Sequence, residues 1–349
     1  MLPFLLRKLG YASGVLIGVV ILVFILFQGF GDPARMVAGQ TGDIQTLNNI
    51  RRDLNLDQPR WKQFLLYLND VSPVSVYDAQ TRQQRGIQGL FAGGSWEIGI
   101  KWPYLRTSYQ TRKPVSETLL EALPGTLLLA VSAMLFATLL GILLGSIAAF
   151  NKHRWPDKLI QVTAVAGISA PSFFMAMLIA YLFGLILHDY TGLYMTGNWY
   201  DIDEHSGRRI LSIHNLILPA FTLGIRPLAI ITQLTRSSLL DVLQQDFIRT
   251  AKAKGLNNRQ IIFRHALRNS LNPVVTAITG WFAELLAGAF FVEYIFGWKG
   301  IGKITVDALE KLDYPMVMGA VLVSAVIFIL MNIFADLLYT KIDPRIRLQ

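Results

Sequence analysis

The stretch Phe247–Pro273, "FIRTAKAKGLNNRQIIFRHALRNSLNP", is basic, helix-forming and placed between two long apolar runs. From Leu239 the apolar positions Leu239, Leu243, Phe247 and Ala251 fall four apart, which predicts one stripe of a single helix. Arg249 and Lys252 lie off that stripe. Gly255 can stop the helix in the left-handed conformation, with Leu256 packing back against it. Asn257 can then cap a second helix, with Gln260 in the third position of a capping box. That helix runs through Ile261, Ile262, Ala266 and Leu267 and ends at Asn272-Pro273. The spacing therefore predicts a helix–glycine turn–helix hairpin. Three uses of it stay open: a basic hairpin resting on anionic lipid, a knob docking into a groove on a partner, or a nucleic-acid helix–turn–helix. The last is disfavoured because the segment emerges directly between two apolar runs.

Those runs set the class of the molecule. Of 349 residues, 53% are hydrophobic and 16% charged, and the mean hydropathy is +0.43; a soluble domain carries about 25% charged residues. No charge occurs from Leu9 to Gly31, from Ala122 to Asn151 or from Leu159 to His188. Each run exceeds the roughly 20 residues a helix needs to cross a bilayer. This predicts an all-α membrane protein with six transmembrane helices, at about 9–30, 122–150, 159–187, 211–235, 274–296 and 316–338. A barrel would instead show alternating segments of about ten residues. The chain has no cysteine, which excludes disulfides, thiolate metal sites and cysteine nucleophiles. Its five histidines are scattered without metal-ligand spacing.

Span 1 follows Arg7 and Lys8 like a signal peptide, but its apolar run is too long and no small-x-small cleavage site precedes Asp32. It is expected to stay as an anchor. Gly10, Gly14 and Gly18 recur every four residues along it, as do Gly141 and Gly145 in span 2; such spacing permits close helix approach. Six spans place both termini on one side, with the 151–158 turn and the 236–272 segment. That side holds fifteen Lys and Arg against four Asp and Glu, whereas the loops 188–210 and 297–314 hold five against seven. The basic side is expected to be cytoplasmic. The bias also accounts for much of the net charge of +9, so no nucleic-acid partner is expected.

Residues 31–121 form an outer region expected to be helical, with amphipathic helices broken near Asp57-Gln58-Pro59, a loop or hairpin over "TRQQRGIQGLFAGGSW" (81–96), and Ser116 as N-cap of the helix entering span 2. It reads as a small lid or docking surface. "GWKGIGKI", Gly297–Ile304, nearly spells a phosphate-binding loop, but Ile304 stands where the Mg-binding hydroxyl belongs and no strand leads into it. Any energy from ATP must then come from a partner.

The segment "RTAKAKGLNNRQIIFRHALRNSLNPVV" resembles the cytoplasmic coupling loop of ABC importer permeases, specifically the B-type subunit of the dipeptide and oligopeptide (peptide/nickel) group. "VEYIFGWKGIGKITVDALEKLDYPMVMGA" (292–320), "LPGTLLLA", "NIFADLLY", "DPRIR" and "GDPA" are similar to the same group, in the same order. Lys299 stands where that family usually has proline, and the region around 73–100 looks longer than usual. The resemblance implies the type I importer permease fold and a multi-pass inner-membrane subunit with no cofactor of its own. ATP and Mg would act through two ABC ATPase subunits. A second homologous permease would complete the pathway, and an extracytoplasmic substrate-binding protein would deliver peptide. Arg249, Thr250, Ala251, Lys252, Lys254, Gly255 and Leu256 would couple to the ATPases, with Gly255 fixing the turn, Ala251 allowing close approach and the cations offering charge. The expected organisation is 1–30 (N-terminal end and span 1), 31–121 (outer region), 122–340 (permease core with coupling segment 236–272) and 341–349 (tail). Nickel or a glycoside on the same scaffold is the alternative cargo. An ion-driven secondary transporter is the alternative class, disfavoured because neither inverted repeats nor a coupling-ion site is evident.

Arg226 and Glu284 lie inside predicted spans 4 and 5, at depths that differ by about 3 Å at 1.5 Å per residue. Each alone costs on the order of 3 kcal/mol at mid-bilayer, so each should face protein or water. They are expected either to meet or to line the pathway jointly; separate satisfaction by backbone or a second permease is the competing reading. Pro124, Pro171 and Pro219 mark spans 2, 3 and 4 as sites of kinks or breaks.

Overall fold

The structure is a computed structural model that describes residues 2–29, 48, 51, 55–202 and 209–342. The tail motif "DPRIR", "GDPA" and the first outer helix expected before Asp57 lie wholly or largely outside the described residues. In chain order the elements are α1 (Leu2–Gly29), α2 (Arg60–Val71), β1 (Val74–Asp78), α3 (Ala79–Gln84), β2 (Gly89–Gly93), β3 (Trp96–Lys101), α4 (Val115–Phe150) and α5 (Trp155–Ser169). They continue with α6 (Ser172–Tyr181, running into a π-helical turn at Leu182–Ile186), β4 (Tyr200–Ile202), β5 (Arg209–Leu211), α7 (Ile213–Leu243) and α8 (Asp246–Ala253). The last are α9 (Asn258–Gln260), a π-helical turn at Ile261–Ala266, α10 (Leu267–Ser270), α11 (Asn272–Gly288), α12 (Phe290–Ile295), α13 (Ile301–Glu310) and α14 (Tyr314–Ile342).

Among the described residues, three helices are long and apolar enough to cross a bilayer: Val115–Phe150, Ile213–Leu243 and Tyr314–Leu337. The pair α5–α6, bent by 109°, is long and apolar enough only when its two helices are taken together, as a broken span or a re-entrant loop. The span expected over 159–187 breaks at Pro171, one of the prolines marked in the sequence as a site of kinks or breaks. Ala170, which precedes Pro171, is extended (ψ 135°), as the proline ring demands of its predecessor. The 15 residues of α5 reach only roughly 22 Å, short of the roughly 30 Å of hydrocarbon. The fifth expected span is also interrupted: α11 has 17 residues and gives way at Ala289 to α12. The apolar part of α1 is the shorter segment Gly10–Leu26.

The helices pack as two compact units. The first is built on Leu123–Lys303. Its core joins Leu129, Ala133 and Ala137 of α4 to Ile179 of α6, Ile231 of α7, Leu285 of α11, and Phe296 and Trp298 beyond α12. Gly141 and Gly145 do allow close approach. A Cβ on Gly141 would sit 2.7 Å from Ile231 Cγ2, and one on Gly145 2.6 Å from the Thr232 carbonyl oxygen. Asp157, 4% exposed, receives Arg236 at 2.6 and 2.8 Å and the His153 amide at 2.9 Å, fastening the start of α5 to α7.

The second unit contains Leu9–Ala122 and Ile304–Ala325. Here α2 starts directly after Pro59, as expected. It lays Phe64, Tyr67 and Leu68 against Val20 and Phe24 of α1 and Met318 and Leu322 of α14. Gly10, Gly14 and Gly18 meet nothing within 4 Å. The expectation of an all-α chain with a helical outer region needs correction: β1, β3 and β2 form a three-stranded antiparallel sheet in that spatial order, and β4 pairs with β5 in the first unit. The physical reason is period-two patterning. Val74, Val76, Ile98 and Ile100 point to one face and Ser75, Tyr77, Gly99 and Lys101 to the other, paired Val74↔Ile100 and Val76↔Ile98. β2–β3 is the hairpin expected after residue 81, though Ala79–Gln84 precedes it as a helix. The polar face closes on Asp70, which receives Tyr77 Oη at 2.9 Å and Arg106 Nη2 at 2.8 Å. Burial pushes the Tyr77 phenol well above its usual range, and the adjacent Asp70 carboxylate pushes it further. Ser116 is not an N-cap; the helix begins at Val115, and the Thr118 amide already reaches Pro114.

Candidate coupling hairpin and intramembrane cleft

The hairpin closes as its glycine and cap dictate. The Gly255 amide donates to the Lys252 carbonyl at 3.0 Å and the Leu256 amide to the Ala251 carbonyl at 3.3 Å. These two bonds end α8 in a Schellman motif. Gly255 has φ +77°, a conformation that costs a residue with a Cβ about 1–2 kcal/mol. Beyond it, the Gln260 amide donates to Asn257 Oδ1 at 2.8 Å and the Asn257 amide to Gln260 Oε1 at 3.3 Å, the reciprocal capping box.

The leading helix departs from expectation. α7 ends at Leu243, Gln245 is extended (ψ 153°), and α8 restarts at Asp246, whose carboxylate suits a helix N-terminus. The restart turns Ile248 inward (1% exposed) and leaves Phe247 37% exposed. Ile248 joins Ala149, Leu239, Val242, Ala251, Ile261 and Ala266 in a small core, with Leu256 packed against it. Ile261 and Ala266 share this inner face because the π-helical turn brings residues five apart into line. Ser238 Oγ donates to the Ser270 carbonyl at 2.8 Å, tying the far arm back to α7. Pro273 sits in the first turn of α11, so Asn272-Pro273 opens that helix.

Of the seven residues singled out in the sequence, Arg249, Thr250, Lys252, Lys254 and Gly255 are exposed together at the tip, and Leu256 is half-buried. Ala251 is 5% exposed within the hairpin's own core, so the close approach it permits is internal. Arg249 touches Asp246 at 3.4 Å, a solvent-exposed contact of little energetic weight. Ile248 escaped notice because the four-residue spacing favoured Phe247.

Arg226 of α7 and Glu284 of α11 line one cavity of about 110 Å³, with Gly167, Ser172, Thr222 and Trp281. Both are exposed to it, and no ion pair or hydrogen bond joins them among the described residues. The Arg226 guanidinium carbon instead stands 6.0 Å from the Trp281 ring centroid, a cation–π distance. Trp281 is one helical turn before Glu284, and that three-residue spacing was the available signal for it.

The loop that mimics a phosphate site wraps the chain's own anion. Glu293 is fully buried; Thr126 Oγ1 donates to its Oε1 at 2.8 Å and the Lys303 amide to its Oε2 at 3.1 Å. A Cβ on Gly300 or Gly302 would lie within 3 Å of that carboxylate (2.4 and 2.9 Å). The glycines are needed for the backbone to close around Glu293, and the amides face a carboxylate where a phosphate loop would hold phosphate.

The family model for the binding-protein-dependent transport system inner membrane component matches residues 141–348, and that for its N-terminal membrane component matches residues 1–130. The chain is 34% identical to the dipeptide transport system permease protein DppB of Alkalihalophilus pseudofirmus, covering 99% of this chain and 100% of that one. It is 35% identical to the glutathione transport system permease protein GsiC of Salmonella paratyphi A, covering 99% of both. Among solved structures it is similar in fold to a chain of the inward-facing MetNI methionine ABC transporter, with a TM-score of 0.51 at 16% identity over 65% of this chain and 97% of that one. The chain belongs to the inner-membrane permease family of binding-protein-dependent, ABC-type transport systems.

Proposed function

We propose that this chain is one of two permease subunits of an ATP-driven importer of di- and oligopeptides. In this reading it crosses the inner membrane six times, with α1 and the interrupted α11–α12 as the remaining spans and both termini in the cytoplasm. Residues 31–121 form the extracytoplasmic region. A second, homologous permease completes the pathway, a substrate-binding protein delivers cargo from outside, and two ABC ATPases bind and hydrolyse ATP. Peptide cargo is supported by the two relatives, permeases of dipeptide and glutathione transport systems.

The observation that carries the coupling role is the division of the hairpin into two faces. Ile248, Ala251, Ile261 and Ala266 turn into its own core, Phe247 and Phe263 stay outside it, and Arg249, Lys252 and Lys254 project beside Gly255. A lipid-resting hairpin would present its apolar face to the membrane; this one turns most of that face into its own core and presents a basic tip at Gly255. The hairpin is also mechanically continuous with the pathway helices. Leu239 and Val242 of α7 belong to its core, and Leu271 is the residue before α11. Displacement of the tip by closing ATPases therefore moves α7 and α11, which carry Arg226 and Glu284, as rigid levers roughly 20 Å long.

The test is ATP-dependent peptide uptake by the assembled transporter bearing Gly255→Asp or Gly255→Asn. Nothing among the described residues lies within 4 Å of the Gly255 Cβ position, so both substitutions start into open space. Asn, the side chain best suited to the left-handed region, should retain most uptake; Asp, which adds a negative charge among the cations, should abolish it with membrane insertion intact. Normal uptake by Gly255→Asp removes the docking role.

A further inference from the structure

The cleft beneath Arg226 and Glu284 has a composition that specifies a ligand. Two opposite charges face the same cavity from neighbouring apolar helices, yet they do not neutralise each other. The Trp281 ring lies between these roles: its centroid is 6.0 Å from the guanidinium carbon and it stands one turn before Glu284 on the same helix. The site therefore holds one cation and one anion apart, each without a counter-charge among the described residues. A ligand that fits must bring an anion to Arg226 and a cation to Glu284 and carry no net charge itself. Neutral polar groups at Ser172 and Thr222 and the aromatic face of Trp281 complete the lining.

We infer that this cleft is a transient binding site for the two charged termini of a zwitterionic peptide, with Arg226 taking the α-carboxylate and Glu284 the α-ammonium. The inference rests on the peptide-importer reading and assigns the residues by which the permease itself recognises cargo. Arg suits the carboxylate because its planar fork donates two parallel N–H bonds to the two oxygens. The termini of an extended dipeptide lie roughly 7 Å apart, so one small molecule can reach both groups where their own side chains do not meet. Trp281 is a positioning residue that keeps the guanidinium open.

The experiment measures competition against radiolabelled dialanine bound to the assembled permease–ATPase complex in nanodiscs, without the binding protein. The competitors are free dialanine, its N-acetyl form and its C-terminal amide. On the wild-type complex, each capped form should compete roughly tenfold less well than free dialanine, the weight of one charge-assisted hydrogen bond. Glu284→Gln should abolish the penalty for N-acetylation and keep that for amidation; Arg226→Gln should do the reverse. A structural role, or a direct Arg226–Glu284 pair, would weaken all three competitors equally, and that result overturns the assignment, as does absence of saturable binding. ATP-driven uptake of dialanine by the complete wild-type transporter is measured in parallel. Uptake without the capping pattern rejects the cleft while leaving the importer reading intact; no peptide uptake at all rejects both.

Discussion

The Thr126 hydroxyl donates to the Glu293 carboxylate at 2.8 Å while accepting the Ile301 amide at 2.9 Å, so one side chain on α4 closes a loop 175 residues away. Trp298 adds an indole hydrogen bond to the Gly125 carbonyl at 2.9 Å. The first unit is thereby latched at the end of α4 opposite the hairpin.

Removing the carboxylate should undo that latch. Glu293→Ala strands the Thr126 hydroxyl and the Lys303 amide in a buried site, and each stranded group costs about 1–3 kcal/mol. A purified Glu293→Ala protein should melt well below the wild type, and Thr126→Val, which removes both the donor to Glu293 and the acceptor of the Ile301 amide, should lose a comparable amount. Equal melting temperatures for Glu293→Ala and the wild type would show that the loop closes without its anion.

At the other end of the helices, Asp157 and Arg236 form a bidentate pair, and Asp157 also takes the His153 amide. Asp157→Asn keeps the shape but leaves Arg236 partly buried without its counter-charge. Breaking such a pair costs on the order of 3 kcal/mol, lessened here because Arg236 keeps 22% of its side-chain surface exposed. Limited proteolysis between α4 and α5 should accelerate in Asp157→Asn. An unchanged cleavage rate would mean that apolar packing alone holds α5 against α7.

The two glycine series, indistinguishable by spacing, should respond oppositely to one methyl group. Gly145→Ala drives a Cβ to 2.6 Å from both the Thr232 carbonyl and Thr235 Cβ and should destabilise by about 1–3 kcal/mol. Gly14→Ala enters open space and should leave the isolated chain's melting temperature within about 1 °C, the size of effect expected away from packed contacts. Parallel thermal melts of the two variants check this; equal losses would contradict the packing described for α4 and α7.

What could be read from sequence was local. The glycine stop at Gly255 and the Asn257–Gln260 box involve residues within five positions of each other, and both form as their spacing requires. The membrane class followed from charge-free runs that depend on composition alone. The restart at Gln245 was illegible because a four-residue stripe continues through it, and only the competition between Phe247 and Ile248 for the small core decides it. Of the three-stranded sheet the sequence shows only a hairpin, because its strands are five or six residues long and lie in a Gly- and Gln-rich setting. The role of the glycine-rich loop is not legible in the sequence: its partner Glu293 lies just before it, but the hydroxyl that fixes that side chain comes from Thr126 on another helix. The cost of their charges marks Arg226 and Glu284 in the sequence, and the two line one cavity; Trp281, 6.0 Å from the Arg226 guanidinium, carries no such mark.

The central claim is that the hairpin tip is the surface on which an ATPase acts. Because the chain contains no cysteine, the thiol introduced by Lys252→Cys at the exposed tip is unique in it and can carry a photoactivatable cross-linker. The measurement is the identity of the chain captured after irradiation of the assembled transporter, with the thiol introduced by Val162→Cys, 67% exposed on α5, as the control site. The account predicts an ATPase adduct from Lys252→Cys whose yield changes when ATP is bound, and none from Val162→Cys. Capture of lipid alone at Lys252→Cys, while the same preparation imports peptide, would contradict it.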